Sequence, residues 1–304
     1  VVVRWYREHA YNFLSVTDLN YYTPPEGLRA LFDAPGRFIV IPGEEPSMEP
    51  LGAGVRIVDT VGLGINGPVD LSLLAGTSST EALDSEARAI RRAGGLPIAA
   101  HPNLTYSVAA PDLVNSDRTS EPRFFEVWNA EPGMNNLGGG DKPSTEKIWD
   151  QALSTGRVVY GLAVDDSHHF STMLKSTRPD EPLSSPGQAW IMVRSCELTW
   201  PSIREAMLRG DFYATTGLKL QDYQADPTGV RISLNDRTRD LGWSVKGSNP
   251  ELYTTTFIGR DGQVLKVDTS LTPSYTFTGS ELYVRAKVVS SDGFVAWTQP
   301  VFRH

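Results

Sequence analysis

The feature that most limits the fold is a change of hydrophobic period part-way along the chain. Up to about residue 216, short apolar runs of strand length alternate with segments whose apolar residues recur at helical spacing. Trp5, Tyr6 and His9 share a helical face, and Phe13-Leu14-Ser15-Val16-Thr17 reads as a short buried strand. A helix over residues 25–32 ends at Pro35-Gly36, and a strand covers 38–41. Ser78 with Glu81 forms a capping-box pattern for a helix that stops at Gly94-Gly95, ahead of a strand over 97–100. Further strands are expected over 124–128, 158–164 and 189–193. Between them lie a helix capped by Ser144 and ended by Gly156, and after them one capped by Thr199 and ended by Gly210. Strands separated by helices build βα units and a mostly parallel sheet. About seven such units favour an α/β barrel of (β/α)7 type over an open sheet.

From about residue 217 the pattern turns to strict alternation. Leu282, Val284, Ala286 and Val288 interleave with Tyr283, Arg285 and Lys287, and Asp261-Gly262 and Asp292-Gly293 are hairpin signals. The expected organisation is therefore a barrel over 1–216 and a small all-β, sandwich-like module over 217–304. Trp243 and Trp297 in that module are either core residues or a platform for stacking a sugar.

Charge and composition exclude several partners. Lys and Arg number 28 against 36 Asp and Glu, a net charge of −8, with no basic run, which argues against a nucleic-acid backbone. No apolar run reaches the roughly 18–20 residues of a membrane-spanning helix. Cys196 is the only cysteine, so neither an internal disulfide nor a cysteine-built zinc site is available. It is expected as a small core residue. The opening Val1-Val2-Val3 reads as the inside of an element, which suggests that residues precede it.

In a βα fold the chemistry gathers at the carboxyl ends of the strands. The residues following the expected strands are Thr17-Asp18-Leu19-Asn20, Pro42-Gly43-Glu44-Glu45, His101-Pro102-Asn103, Glu126 with Asn129, and Asp165-Asp166-Ser167-His168-His169. Imidazole plus carboxylate is the ligand set of zinc, manganese or iron. In an extended segment, Asp166 and His168 would project to the same side. Each residue also has a plainer reading. His101 reads equally as a hydrogen-bonded histidine before a proline turn, and Asp165-Asp166 as a capping pair. Glu45 reads as a solvated loop carboxylate, Glu126 as a buried partner of an arginine, and His169 as a neighbour facing away. His9 and His304 are given no role. The joint pattern outweighs its parts, because every carboxylate–histidine cluster falls on one barrel face.

These segments together resemble the PHP superfamily of metal-dependent phosphoesterases (polymerase and histidinol phosphatase domains), and more closely its CehA/McbA-like branch. The resemblance rests on Trp5-Tyr6, Tyr11 through Asp18, Ile41-Pro42-Gly43-Glu44-Glu45, Ala100-His101-Pro102-Asn103, Glu126-Val127-Trp128-Asn129 and Gly161 through His168. Tyr283-Val284-Arg285-Ala286 and Ala296-Trp297-Thr298-Gln299-Pro300 resemble the β-module of that branch. It implies a distorted barrel with two or three divalent ions at its mouth, and an extracytoplasmic location. By position, Glu45 corresponds to a bridging ligand, His101 to the His-Pro ligand, and Asp166 and His168 to the closing pair. Glu126 and Asn129 correspond to a strand beside the site. Two departures stand out: nothing matches the family's first strand with its His-x-His, and Leu19 occupies a position where the family has histidine.

The expected chemistry is hydrolysis of a small phosphorylated or ester-type substrate by a metal-activated water, with Glu45, His101, Asp166 and His168 as the catalytic set. Arg91, Arg92 and Arg123 are candidates for neutralising a phosphate. The alternatives are a hydrolase of ester, carbamate or amide bonds, and a degenerate barrel that binds a ligand or partner without catalysis. Leu19 favours the last.

Overall fold

The computed structural model describes residues 1–51, 56–116, 119, 121–168, 170, 183–235 and 252–303. His169, His304, Trp243 and most of the loop expected over 171–186 lie outside the described residues.

The first sheet contains seven strands: β1 (Phe13–Val16), β2 (Ile39–Glu44), β3 (Ser47–Met48), β4 (Val58–Leu63), β5 (Leu96–Ala99), β6 (Arg123–Asn129) and β7 (Val159–Val164). Its order is β1-β2-β4-β5-β6-β7, with β3 paired to β4. The sheet curls into a half-barrel within a mixed α/β fold. It is less parallel than the sequence suggests. β1, β2, β5, β6 and β7 run the same way, while β4 is antiparallel to β2, β3 and β5. The reason is the 45–57 connection. Pro46 and Pro50 interrupt it, and the short β3 takes the place of a crossover helix. Without a crossover the chain turns back on itself, and the next strand enters reversed.

The helices on the flanks follow the sequence closely. α1 (Val2–Glu8) and α2 (Pro25–Phe32) cover β1 and β2. α3 (Ser79–Arg92) begins where Ser78 accepts from the Glu81 amide, but Glu81 turns to the amide and hydroxyl of Thr77 rather than completing a box. The short α4 (Ala110–Asn115) has no counterpart in the sequence reading. α5 (Thr145–Leu153) is capped by Ser144, and its Trp149 is fully buried, donating its indole N–H to the Val159 carbonyl at 2.8 Å. α6 (Trp200–Arg209) is capped by Thr199 and closed by Gly210 in the left-handed conformation. No helix among the described residues is long and apolar enough to cross a membrane.

The strand expected over 189–193 does not extend the curled sheet. As β8 (Trp190–Val193) it pairs antiparallel with β9 (Phe212–Thr215), and β9 pairs with a strand near the C-terminus. The remaining strands are β10 (Leu220–Asp226), β11 (Gly229–Leu234), β12 (Tyr253–Ile258), β13 (Val264–Asp268), β14 (Ser274–Thr276), β15 (Tyr283–Ser290), β16 (Val295–Thr298) and β17 (Val301–Phe302). β10-β11-β14 form a three-stranded sheet. The seven-stranded sheet β13-β12-β15-β16-β9-β8, with β17 on β15, joins residues from both sides of position 216. The two antiparallel sheets share one apolar cluster built on Tyr223, Ile232, Phe257, Val284 and Val288. Both Asp-Gly pairs lie at hairpin turns, Asp261 and Gly262 at φ 56° and 80°, Gly293 at 89°. Trp297 is fully buried and stacks on Trp128, so it is a core residue and no sugar platform. Cys196, expected in the core, is exposed in the β8–α6 loop.

Candidate metal centre

The strand directions decide which residues meet. β2, β5 and β7 end at the same edge of the sheet, delivering Glu45, His101 and Asp166 just beyond their last residues. β4 runs the other way, so its beginning lies on that edge and Asp59 joins them. The Ala100 amide donates to the Asp59 carbonyl at 3.0 Å, which fixes Asp59 beside His101.

Glu45, Asp59 and His101 form one group, with a ligand atom from each lying within 4.8 Å of the others. His101 Nε2 is 3.1 Å from Glu45 Oε1 and 3.6 Å from Asp59 Oδ2. Asp59 Oδ1 is buried with no hydrogen-bond partner among the described residues. A buried carboxylate oxygen without a donor is costly unless something positive reaches it. One imidazole and two carboxylates are a donor set for zinc, manganese or iron. The group could therefore hold a divalent ion.

Asp59 is the member that sequence reasoning misses. Its strand is not among those expected, although a carboxylate inside the apolar run Ile57-Val58-Asp59-Thr60-Val61 is a readable signal. Behind it, Thr60 donates to the fully buried Glu86 at 2.5 Å. Burial pushes the Glu86 carboxyl well above its ordinary value, aided by Asp59 and Glu45.

Glu126 lies beneath the group. Its Oε2 accepts from the His101 amide at 2.7 Å and from Asn129 Nδ2 at 2.9 Å, so it holds the backbone of the histidine. Asn129 Nδ2 also reaches Asp166 Oδ2 at 3.0 Å, tying Asp166 to the same network. Asp166 takes a left-handed φ of 46°, so the Asp166-x-His168 stretch is turned rather than extended. His168 Nε2 still lies 3.8 Å from Asp166 Oδ1, but its side chain is 65% exposed and outside the Glu45–Asp59–His101 group. The neighbouring Asp165 is structural. It accepts from the amides of Gly187, Gln188 and Ala189 and from the Tyr6 hydroxyl.

Leu19 is 60% exposed at the lip of the site. Its loop docks on Glu45: the Asn20 amide donates to the Glu45 carbonyl at 2.9 Å, and the Glu45 amide to the Asp18 carbonyl at 3.1 Å. The arginines considered as phosphate partners are placed elsewhere. Arg91 pairs with Glu121, Arg123 donates to the Ser116 carbonyl, and Arg92 is exposed at the end of α3. Among the described residues no Lys or Arg pairs with Glu45, Asp59, Glu126 or Asp166.

The resulting field is strongly negative around one imidazole. Burial raises Asp59 to about 6 and Glu126 to about 7. His101 is pulled down by burial, yet Glu45, Glu126 and Asp59 outweigh this and raise it to about 10. An added cation would favour the charged form of these carboxyls and so offset the effect of their burial. No protein-family model matches the chain, and a search of curated proteins returns no match.

Proposed function

We propose that this chain is a metal-dependent hydrolase of the PHP type that cleaves a phosphoester with water. The observation that carries the proposal is the buried Glu45–Asp59–His101 group, with one carboxylate oxygen lacking any partner among the described residues. Glu45, Asp59 and His101 would hold the ion, with Asp166 and His168 as the adjoining candidates. A divalent ion there would supply Lewis acidity and bring the pKa of a water toward neutrality. Glu126 fixes the His101 backbone, and Asn129 fixes Asp166 relative to Glu126. Glu86 keeps Thr60 and the start of β4 in place behind Asp59.

A second reading, hydrolysis of an uncharged ester, carbamate or amide, is favoured by the lip. Leu19 and Tyr21 are 60% and 64% exposed there, and of the candidate arginines Arg91 and Arg123 are engaged elsewhere while Arg92 is exposed at the end of α3. The test begins with elemental analysis of protein purified without chelator. One or more equivalents of zinc, manganese or iron are expected, together with hydrolysis of p-nitrophenyl phosphate that His101→Ala abolishes. Turnover of p-nitrophenyl acetate with none of the phosphate selects the second reading. Failure to retain any metal after manganese or zinc is supplied would leave a ligand-binding barrel and overturn both.

A further inference from the structure

A second concavity lies at the opposite end of β7 from the metal centre. It is a cleft of about 680 Å³ between β8–β9 and β10, floored by Tyr160 and closed by Gln299. Tyr160 stands near the start of β7 and Asp166 just past its end, roughly 20 Å apart at about 3.3 Å per residue. The two sites do not overlap.

The cleft has three properties that together select a ligand. The first is unspent hydroxyl capacity. The Tyr160 hydroxyl makes no hydrogen bond among the described residues although the residue is only 8% exposed. The Tyr213 hydroxyl accepts from the Leu220 amide at 3.1 Å, and its own proton finds no acceptor among the described residues. The second is charge already balanced within the walls. Arg194 pairs with Asp222 at 2.5 Å and Arg209 with Asp211 at 2.8 Å, so an ionic ligand would have to break a pair. The third is close packing against the phenol. Gly210, at φ 77°, lies so near that a Cβ there would stand 2.8–2.9 Å from the ring end of Tyr160, so the glycine lets the hydroxyl keep its place in the cleft.

Free phenol donors and acceptors, balanced charge and aromatic edges suit a neutral ligand that both donates and accepts hydrogen bonds and has an apolar face. That is the chemistry of a sugar ring. We infer that this cleft binds a neutral saccharide, independently of the metal centre. Tyr160 supplies a hydroxyl partner, and Gln224 at the mouth, which donates to Asp222 at 3.0 Å, supplies an amide.

The test is calorimetric titration of the full chain with maltose, cellobiose and N,N′-diacetylchitobiose. At least one should bind saturably with Kd below about 10 mM. Tyr160→Phe keeps the ring packed on Phe124 and Phe212 and should weaken that binding about five-fold, the loss of one hydrogen bond. Ala225→Trp, at an exposed position in the cleft wall, should abolish it, and His101→Ala should leave it unchanged. Thermal unfolding of each variant checks that it is folded. The inference is overturned if none of the three disaccharides binds, if both cleft variants bind as wild type does, or if His101→Ala abolishes binding.

Discussion

Two parts of this molecule bury acidic side chains, and they treat them in opposite ways. Between α5 and β15, Asp150 receives the Arg285 guanidinium in two bonds of 2.8 and 2.6 Å and the Tyr283 hydroxyl at 2.9 Å. Glu146 accepts from Lys287 at 2.5 Å. Burial would raise the Glu146 carboxyl, but Arg285 and Lys287 outweigh it and hold it below its ordinary value. Around the metal centre, Asp59, Glu126 and, on α3 behind them, Glu86 are buried at least as deeply, and the only cation against them among the described residues is His101. Their carboxyls are pushed up instead. Matched charges join the elements of a fold. An excess of one sign, kept in a concave edge at a cost in stability, is a site that expects a counter-ion.

The sharpest way to break this comparison is at the matched pair. Removing Arg285 strands Asp150 without its charge partner, so Arg285→Ala should destabilise the chain by about 3–5 kcal/mol in denaturant unfolding. Asp59→Asn should do the reverse: stability of the chelator-treated protein stays unchanged or rises, while protein purified without chelator carries less metal than wild type. A loss of stability comparable to Arg285→Ala would show that Asp59 is a structural charge after all.

The metal centre should also invert the usual pH response. On folding, Asp59 rises from 3.8 to about 6, Glu126 from 4.5 to about 7 and His101 from 6.5 to about 10. The native state therefore binds more protons across this range, and stability falls as pH rises. Raising a single pKa by one corresponds to about 1.4 kcal/mol, so several kcal/mol are lost from about pH 4, where the unfolded carboxyls titrate, to about pH 10, where the folded His101 does. Calorimetry of chelator-treated protein should show a melting temperature that declines over this window, and added zinc should reverse the decline. The C-terminal sheets have the opposite sign. Asp268 is held low by Lys266 and Ser270. Glu281 is held low because the Thr278 and Tyr275 hydroxyls outweigh its burial. Their contribution is present above the ordinary carboxyl range and lost in stronger acid.

Smaller effects sharpen the division of roles inside the site. Glu126→Gln keeps an acceptor for the His101 amide but alters the charge beneath it. Metal affinity should drop about 10- to 100-fold, the range for groups that orient a ligand, measured by competition with a chromogenic chelator. Leu19→His, at an exposed loop position, should change stability by less than about 0.5 kcal/mol. A gain in metal affinity from it would place position 19 within reach of the ion.

Local signals carry much of this. Ser78, Ser144 and Thr199 cap the helices expected of them, and Gly210 closes the last because only a residue tolerant of positive φ fits there. His101 and Glu45 are legible because each directly follows an apolar strand. Asp59 is harder to read, since β4 is not among the expected strands and, running in reverse, brings its beginning rather than its end to the site. Asp166-x-His168 reads as extended in the sequence, but a left-handed residue turns it. The strand over 189–193 looks like one more barrel strand because its own residues cannot say which sheet they will join.

The amino-acid sequence by itself determined where most helices begin and end, where the chain turns to alternating strands, and which residue types could bind a metal. These depend on neighbours a few positions away, whose capping bonds and periodicity are local. Only the tertiary structure decided that β4 runs backwards, that Asp59 completes the group with Glu45 and His101, that Arg285 answers Asp150, and that β9 joins β16. Each of these joins residues far apart in the chain, and strand direction and charge pairing are settled by which surfaces are buried together.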